Sequence, residues 1–388
     1  MSTTVYLIRH AEAEGNLCRR IQGQFDGFLT PRGRQQIERL AGRFRDKHID
    51  AVWSSDLYRA RITAGAVTQG RSLPLHTTPR LREMALGVWE DQLWGNAERD
   101  TPEQMYNFSY APDRWHIEGG EPFEAVTARM VSAVNEIAAQ HDGQTVAVVS
   151  HGMALRALQA YVMGLSVAEM AQVPHGDNTC LSRLHWQDGT MQLAQLNDIS
   201  HLEGTGLSTF SRQTWHRDGA AKDLSNLSSR PLRLPEDETF YLACYESAWR
   251  AAHGGTQGFD RQVYAAALRS RLARQPECAH VFFRGQEPVG VLELDLQRGA
   301  AEGAGWICLC CVTEPWRGCG YGVQLLGEAV SRYRRLGRRT LALHAAVTNT
   351  AALGFYRHCG FAEVACVPGV ASDLWQMERP IFPADYKP

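Results

Sequence analysis

Two histidines of this chain each follow a short run of apolar, mostly β-branched residues. His10 comes two residues after the run Val5–Ile8, and His151 comes two residues after Thr145–Val149. Runs of this kind are typical of buried parallel strands, and open α/β sheets bind their ligands beyond the carboxyl ends of the strands. The pattern therefore predicts that the two imidazoles face the same small volume.

Two arginines and a carboxylate stand at similar positions. Arg9 directly precedes His10, Arg59 opens a helical pattern after the predicted strand 51–53, and Glu83 follows further along. Phosphoryl transfer requires positive charge around the phosphoryl oxygens, an in-line nucleophile and a proton for the leaving oxygen. Guanidinium forks suit phosphate oxygens, and cations beside His10 disfavour imidazolium, which leaves a lone pair free for attack. These residue types predict phosphoryl-transfer chemistry.

The order of these segments resembles the histidine phosphatase superfamily, which includes the cofactor-dependent phosphoglycerate mutases. The resemblance covers nearly all of residues 1–200. Residues 9–12 read Arg-His-Ala-Glu where the family has Arg-His-Gly-Glu, and Gln22-Gly23 and the Gly-Gly-Glu of 119–121 match later motifs. The family implies a three-layer α/β/α fold with a mostly parallel sheet.

The same resemblance implies a role for each matched residue. His10 would be the nucleophile that becomes a phosphohistidine, and Glu83 would be the general acid. The segment between Glu83 and Gly119 lacks the long basic insertion of the mutases, so we expect a phosphatase, while a mutase-type phosphotransferase stays open as an alternative. The phosphoryl oxygens would be bound by Arg9, Asn16, Arg59 and His151.

A second group of residues suited to chemistry is the glycine-rich segment Arg317–Gly322. It lies between a predicted strand at 306–312 and a predicted helix at 322–336. Glycines let the backbone approach a pyrophosphate, and a helix N-terminus adds N–H donors and a positive dipole. A dinucleotide site of the Rossmann type is the rival interpretation. Its G-x-G-x-x-G spacing at the start of a βαβ unit is absent here.

With the segment Asn349–Phe361, this loop resembles the GCN5-related N-acetyltransferase (GNAT) superfamily over about 231–382. Arg317, Gly320 and Gly322 match its R/Q-x-x-G-x-G/A motif. The resemblance implies an α+β fold with a mixed sheet and acetyl-CoA as the co-substrate, with no metal. Strand backbone would pair with the pantetheine chain at Cys310, Cys311 and Val312, and loop amides would hold the pyrophosphate at Arg317, Gly318, Cys319, Gly320, Tyr321, Gly322 and Val323.

Three further residues acquire candidate roles from this second resemblance. Asn349 matches a residue that contacts the cofactor, and Tyr356 matches the proton donor to the leaving thiolate. His344 stands five residues before Asn349, where some relatives carry a glutamate base. It is a candidate general base, with simple packing as the alternative.

The length of 388 residues exceeds what one ordinary core supports, so two domains are expected. Alternating strand and helix patterns indicate a parallel sheet with helices on both faces in the first half. The predicted boundaries are a phosphatase domain at 1–200, a linker rich in Ser, Thr, Gly, Asp and Asn at 201–229, and a GNAT domain at 230–382.

Composition narrows the expected partners. A net charge of -2 gives no global basic field for nucleic acid or an anionic membrane. No apolar run reaches the roughly 20 residues that span a bilayer, and no signal peptide is evident. The ten cysteines match no zinc pattern, which favours reduced thiols in a cytoplasmic protein.

The predicted function is that of a bifunctional enzyme. The first half would hydrolyse a small-molecule phosphomonoester, and the second half would transfer an acetyl group from acetyl-CoA to a small-molecule or peptide amine. A second half that senses acetyl-CoA without chemistry is the alternative.

Overall fold

The structure is a computed structural model, and it describes residues 1–210 and 226–386. The described chain divides into two compact units. The first comprises residues 1–92 and 97–210, and the second comprises residues 93–96 and 226–386.

A six-stranded sheet forms the centre of the first unit, with the strand order β3-β2-β4-β1-β5-β6. The four strands from β3 to β1 run parallel, and β5 and β6 form an antiparallel hairpin at the edge. The strands are β1 (Thr3–Arg9), β2 (Ala51–Ser54), β3 (Leu75–Thr77), β4 (Thr145–Ser150), β5 (Leu181–Gln187) and β6 (Thr190–Asp198).

Helices cover both faces of this sheet. Ile8 and Val149 pack with Leu40 and Phe44 on one face, while the alternate residue Val148 is buried on the other. The predicted α/β/α fold with a mostly parallel sheet is confirmed. The α-helices between residues 14 and 162 are α1 (Glu14–Cys18), α2 (Pro31–Phe44), α3 (Tyr58–Thr68), α4 (Trp94–Asp100), α5 (Pro102–Tyr110), α6 (Phe123–Gln140) and α7 (Gly152–Val162).

The second unit is built on a seven-stranded mixed sheet, ordered β12-β13-β11-β10-β9-β8-β7, in which only β10 and β11 pair in parallel among the described strands. This confirms the predicted mixed sheet. The strands are β7 (Ser228–Pro231), β8 (Ala279–Arg284), β9 (Glu287–Asp295), β10 (Ala304–Val312), β11 (Thr340–Ala346), β12 (Ala362–Val367) and β13 (Leu374–Pro380).

Four helices lie on this second sheet. Side chains of α10 and α11, such as Leu325 and Leu353, pack on one face, and side chains of α8 and α9, such as Leu242 and Leu268, pack on the other. The helices are α8 (Glu238–His253), α9 (Arg261–Arg274), α10 (Gly322–Arg335) and α11 (Thr350–His358).

The predicted linker at 201–229 differs from the structure at both of its ends. Residues 206–209 are hydrogen-bonded to the first unit, and residues 228–229 belong to strand β7. Both differences have the same cause. Polar residues at the two ends of the predicted linker form hydrogen bonds with a folded unit, and these bonds fix them in place although their composition is typical of a linker. Positions 211–225 of the predicted linker lie outside the described residues.

Two observations concern composition. All ten cysteines are free thiols, and five of them lie on the second sheet or in a helix packed against it at Cys244, Cys308, Cys310, Cys311 and Cys366. No helix within residues 1–210 and 226–386 is both long enough and apolar enough to cross a membrane.

Helix α2 offers a matched pair of glycines that tests how the first site is supported. A Cβ at Gly33 would lie 2.1 Å from the backbone oxygen of Glu12, two residues after His10, whereas a Cβ at Gly42 in the same helix would meet nothing within 4 Å. We expect Gly33→Ala to lower the free energy of unfolding by about 1–3 kcal/mol. Gly42→Ala should raise it by about 0.5–1 kcal/mol.

Urea denaturation followed by circular dichroism measures both changes. Equal stabilities for the two variants would show that the close approach of α2 to Glu12 is not required.

Candidate functional site

The pairing of β1 with β4 brings the two strand-end histidines together. Arg9 lies directly opposite Ser150 in the parallel register, so the next residues, His10 and His151, leave the sheet side by side. Their ring centroids are 5.1 Å apart, and their exposed fractions are 3% and 0%. The predicted common volume is therefore present at the carboxyl edge of the sheet.

The surroundings of His10 fix its protonation and its tautomer. Burial lowers its pKa well below the usual value, and the positive charges of Arg59 and Arg9 lower it further. Nδ1 lies 2.8 Å from the backbone oxygen of Ala11. A carbonyl oxygen only accepts, so Nδ1 carries the hydrogen and Nε2 keeps a free lone pair. The sequence predicts that the arginines lower the pKa of His10. The structure shows that burial lowers this pKa more than the arginines do.

Both arginines are held from behind by backbone carbonyls. Arg59 is 1% exposed and donates to the oxygens of Gly23 (2.6 Å) and Phe25 (2.8 Å). Burial lowers its pKa to about 10, opposed first by the charge of Glu83. Arg9 donates to the oxygen of Gly176. These bonds orient the guanidiniums without neutralising them.

Several buried nitrogens of this cluster have no hydrogen-bond partner among the described residues. They are Nε of Arg9, Nε of Arg59 and both ring nitrogens of His151. Burial also lowers the pKa of His151, with Arg59 as the next cause. Unpaired buried donors are costly and uncommon, and a phosphoryl group would accept from all three side chains. The cluster has the chemistry of an anion site.

Glu83 is fixed beside the cluster by backbone donors. Its Oε1 accepts from the N–H groups of Met84 (3.0 Å) and Ala154 (2.9 Å), and its Oε2 accepts from Met153 (3.1 Å). Met153 and Ala154 belong to the first turn of α7, which begins directly after His151. The carboxyl group and His151 are therefore placed by the same helix start.

The Gly-Gly-Glu motif supports Glu83 from a different side. Glu121 forms a bidentate ion pair with Arg129, at 2.6 and 2.9 Å. Arg129 in turn donates to the backbone oxygen of Glu83 at 3.1 Å. This motif therefore acts on the position of Glu83 through the backbone.

Asn16, the fourth predicted phosphate ligand, uses its side chain in the N-terminal cap of α1. Its amide oxygen accepts the N–H of Ala13 at 3.0 Å, as part of the N-terminal cap of α1. Only its amide nitrogen can then donate to an anion. The structure places Asn16 in α1, shortly after His10, and no hydrogen bond among the described residues links its side chain to the cluster.

The sequence gives no indication of the residues that support His10 from below. Asn178 donates from its amide to the backbone oxygen of His10 at 2.9 Å. Asp177, which is fully buried, accepts from Asn178 N–H (2.7 Å), Ser208 Oγ (2.6 Å) and Thr209 N–H (3.0 Å). Thr209 Oγ1 also donates to Asp177, and it lies 3.1 Å from the amide oxygen of Asn178. Residues 208–209 therefore help to hold the loop that carries the nucleophile.

In the second unit, β10 and β11 part where the resemblance predicts pantetheine. The parallel pairing runs only from Ala304 opposite Thr340 to Ile307 opposite Leu343. Beyond it, β10 continues to Val312 while still pairing with β9, after an irregularity at Cys308. The edge of 308–312 that faces β11 therefore presents backbone N–H and C=O groups without a strand partner in the described chain. Cys310, Cys311 and Val312 lie on this edge, where an extended ligand can pair.

The glycine-rich loop leads from β10 into helix α10. Gly318 and Gly320 have φ values of 77° and 81°, in the left-handed region that favours glycine. A Cβ at Gly320 would meet nothing within 4 Å. Glycine is therefore favoured here by the left-handed backbone conformation and not by a lack of space for a side chain. Arg317 donates to Val312 O and to Ser247 Oγ, both at 2.9 Å, so its side chain braces the loop.

The remaining loop positions differ in exposure. Tyr321 is buried, whereas Cys319 is exposed. Gly322 is the first residue of α10, followed by Val323. The amides of 318–323 thus lie at a helix start, where backbone donors and the helix dipole favour phosphate groups.

Tyr356 lies on α11, and Asn349 directly precedes this helix. Both belong to the segment that follows β11, which borders the gap left where β10 and β11 stop pairing. The Tyr356 hydroxyl has no hydrogen-bond acceptor among the described residues. Burial raises its pKa well above the usual value, and the thiols of Cys310 and Cys311 are the next causes, so the phenol lies near the free edge of β10. Asn349 caps α11 by accepting the N–H of Ala352 at 3.1 Å; its amide nitrogen alone can donate elsewhere.

His344 is the first residue of β11 beyond its pairing with β10. Its Nε2 is buried and has no hydrogen-bond partner in the described chain. Burial lowers its pKa, Arg298 lowers it further, and a hydrogen bond with Gln376 opposes the shift. A neutral imidazole at the mouth of the gap is suited to accept a proton.

The fold and the first cluster define an α/β protein with a buried, histidine-centred anion site. The chain belongs to the histidine phosphatase superfamily (branch 1), whose family model matches residues 5–199, and residues 241–361 match the acetyltransferase (GNAT) family. Both resemblances seen in the sequence are confirmed.

Individual relatives match the first half of the chain. Phosphoserine phosphatase 1 of Hydrogenobacter thermophilus is 30% identical over 196 residues, which cover 50% of this chain and 92% of that protein. A probable phosphoglycerate mutase GpmB of Erwinia tasmaniensis is 32% identical over 213 residues, covering 54% of this chain and 99% of that protein. The solved structure of Bacillus stearothermophilus YhfR has a TM-score of 0.51 and 35% identity, and covers 52% of this chain and 100% of that one.

The contacts below His10 generate a prediction outside the matched family region. Thr209→Val removes the hydroxyl that binds Asp177 and Asn178 while keeping the size of the side chain. We expect kcat for phosphate release from p-nitrophenyl phosphate to fall on the order of 10-fold, with KM little changed, because the nucleophile is misplaced. Thr209→Ser keeps the hydroxyl and should restore kcat. A loss shared by the serine variant would refute the role of the hydroxyl.

Proposed function

We propose that the first unit hydrolyses phosphomonoesters through a phosphohistidine at His10. The observation that carries this proposal is the set of unpaired buried nitrogens on Arg9, Arg59 and His151 around the free Nε2 of His10. Two guanidinium charges and the N–H of a neutral imidazole beside one nucleophile stabilise the charge that a transferring phosphoryl group carries.

The proposed reaction has two steps. Nε2 of His10 attacks phosphorus while the ester P–O bond breaks, and Glu83 gives a proton to the departing oxygen. Water then attacks phosphorus, the P–Nε2 bond breaks, and the Glu83 carboxylate takes the proton of the water. His10 returns to its neutral form and phosphate leaves.

Hydrolysis is favoured over mutase chemistry by the segment between Glu83 and Gly119. It contains two short α-helices, α4 and α5, and two single-turn 3₁₀ helices, and no long basic insertion that would retain a bisphosphate. The relatives of this chain include proteins named as a phosphatase and as a mutase. Phosphoserine and 3-phosphoglycerate are therefore the first compounds to compare. Phosphate release from either supports the phosphatase, whereas isomerisation of 3-phosphoglycerate without phosphate release would support the mutase.

For the second unit we propose acetyl transfer from acetyl-CoA to an amine. The parted strands, the left-handed glycines and the Tyr356 phenol fit the thioester, pyrophosphate and thiolate of this co-substrate. When bound, acetyl-CoA supplies the acetyl group and a thiol leaving group. Nε2 of His344 would accept a proton from the ammonium group of the acceptor, which frees the amine lone pair for attack. Tyr356 would hold at its oxygen the proton that the leaving sulfur needs.

A non-catalytic acetyl-CoA sensor is the second candidate for this unit. The histidine at position 344 favours it, since some relatives carry a glutamate base there and His344 is the weaker candidate because its pKa is lowered by burial. Release of free CoA in the presence of amines separates the two. Tight acetyl-CoA binding without any amine-dependent CoA release would support the sensor.

Replacement of Glu83 tests its role as the proton donor. We expect Glu83→Gln to slow the hydrolysis of alkyl phosphates about 10²–10⁴-fold, because a poor leaving group depends on the proton. Aryl phosphates with acidic phenols should lose much less. Steady-state rates for both classes measure the difference, and equal losses would assign Glu83 to binding or structure.

Replacement of Gly320 tests the pyrophosphate loop. Gly320→Val forces a β-branched residue into a left-handed conformation, which costs on the order of 1–3 kcal/mol. We expect acetyl-CoA to bind about 10- to 100-fold more weakly by calorimetry, while phosphate release persists. Cys319→Ala changes a neighbouring side chain but keeps every amide, so it should bind normally. Normal binding by Gly320→Val, or binding of NAD or ATP in place of acetyl-CoA, would contradict this assignment.

A further inference from the structure

The loop that joins β9 to β10 is held rigidly beside the parted strands. Its first turn is fixed by Asp295, whose Oδ1 accepts the N–H groups of Gln297 and Arg298, both at 3.1 Å. Asp295 is itself bound by Arg271 at 2.9 Å. Further along, Ala300 O accepts from Arg338 at 3.0 Å. The position of Arg298 is thus set by the fold.

The side chain of Arg298 lies flat on a tryptophan. Its guanidinium carbon is 3.4 Å from the centroid of the Trp306 ring. Trp306 is only 8% exposed, whereas Arg298 itself is exposed. Stacking restricts the guanidinium, since a cation over an indole face is attracted by the ring quadrupole.

The guanidinium of Arg298 has no hydrogen-bond acceptor within the described residues, so its N–H donors remain available. Most other arginines of this unit are engaged, as Arg271 is with Asp295 and Arg317 with Val312. A fixed, exposed guanidinium with unused donors is suited to a carboxylate or a phosphate.

The position of this cation ties it to the gap between β10 and β11. Trp306 pairs with Ala342 of β11, so His344, two residues further, lies on the same face of the sheet. The rings of Trp306 and His344 have centroids 5.0 Å apart and are nearly perpendicular. Arg298 and His344 therefore both contact the ring of Trp306, which places the cation beside the candidate base. Gln376 opposite His344 donates to Glu378 at 2.7 Å.

We propose that the amine acetylated by the second unit also carries an anionic group, a carboxylate or a phosphate, which binds Arg298 while the amine lies at His344. This inference rests on the proposed acetyl transfer and specifies the class of amine that accepts the acetyl group. The acceptors would be amino acids and phosphorylated amines, and not amines that lack an anionic group. A product of the first unit that keeps a carboxylate after losing its phosphate belongs to the same class.

The test compares matched acceptors with the full chain. Each α-amino acid of a panel is paired with its decarboxylated amine, such as serine with ethanolamine and tyrosine with tyramine, and CoA release is measured. Phosphoethanolamine is added in a His10→Ala background, so that the first unit does not remove the phosphate. We expect the anionic member of the productive pair to have a kcat/KM at least tenfold higher, and the two arms identify which anion is preferred.

Substitution at position 298 then assigns the preference. Arg298→Met should lower kcat/KM for the anionic acceptor about tenfold or more and leave the neutral acceptor within about twofold. Arg298→Lys should retain part of the preference, since it keeps the charge but loses the planar fork. Arg274→Met removes an exposed arginine of α9 and should change nothing.

Two outcomes overturn the inference while leaving acetyl transfer intact. One is a wild-type protein that does not prefer anionic acceptors. The other is an equal loss for both acceptors in Arg298→Met, with a shifted pH profile, which would show that Arg298 acts only through Trp306 and His344. If no amine is acetylated, the proposed transfer fails instead. Calorimetry with CoA-loaded protein then decides whether anionic acceptors bind and whether Arg298→Met abolishes that binding.

Discussion

Positive charge buried without an ion pair in the described chain is the constraint around which the first unit is built. Arg59 is almost fully enclosed, and its charge together with that of Arg9 acts on two neutral histidines. Burying such groups is expensive unless hydrogen bonds satisfy them. Carbonyls of Gly23, Phe25 and Gly176 supply part of that stabilisation. Nitrogens of Arg9, Arg59 and His151 stay unpaired in the described chain, and these side chains surround His10, where a phosphoryl group would supply the missing negative charge.

The rest of the first unit holds this charge in place. The parallel register of β1 and β4 sets the two histidines side by side, and the start of α7 fixes Glu83 next to them. Residues 208–209, which follow the matched family region, complete the support below His10 through Asp177 and Asn178. The candidate site of the second unit depends on backbone groups instead of buried charge. Strands β10 and β11 separate, and the unpaired edge of β10 is the candidate ligand edge. Specific side chains there, such as Tyr356 and His344, have only to line the gap.

Local patterns explain which features were predictable. His10 and His151 are predictable because the ends of apolar, β-branched strands are visible in the sequence. The β5–β6 hairpin was missed, although Asp188-Gly189 between two strand-like runs is a strong hairpin signal. The contacts of Asp177 with Thr209 and of Arg298 with Trp306 were not predictable, since neither pair follows from helical or strand periodicity. The hydrogen bonds of residues 206–209 were not predictable for the same reason, since polar composition does not show which residues bind to a folded unit.

The most direct measurement of the central claim is the identification of the phosphorylated residue. The full chain is mixed with ³²P-labelled phosphomonoester, quenched in base to preserve phosphohistidine, digested and analysed by mass spectrometry. The account predicts a single base-stable, acid-labile label on His10, absent from His10→Ala and more persistent when Glu83→Gln slows the second step. A label on another residue, or rapid phosphate release by His10→Ala, would contradict it.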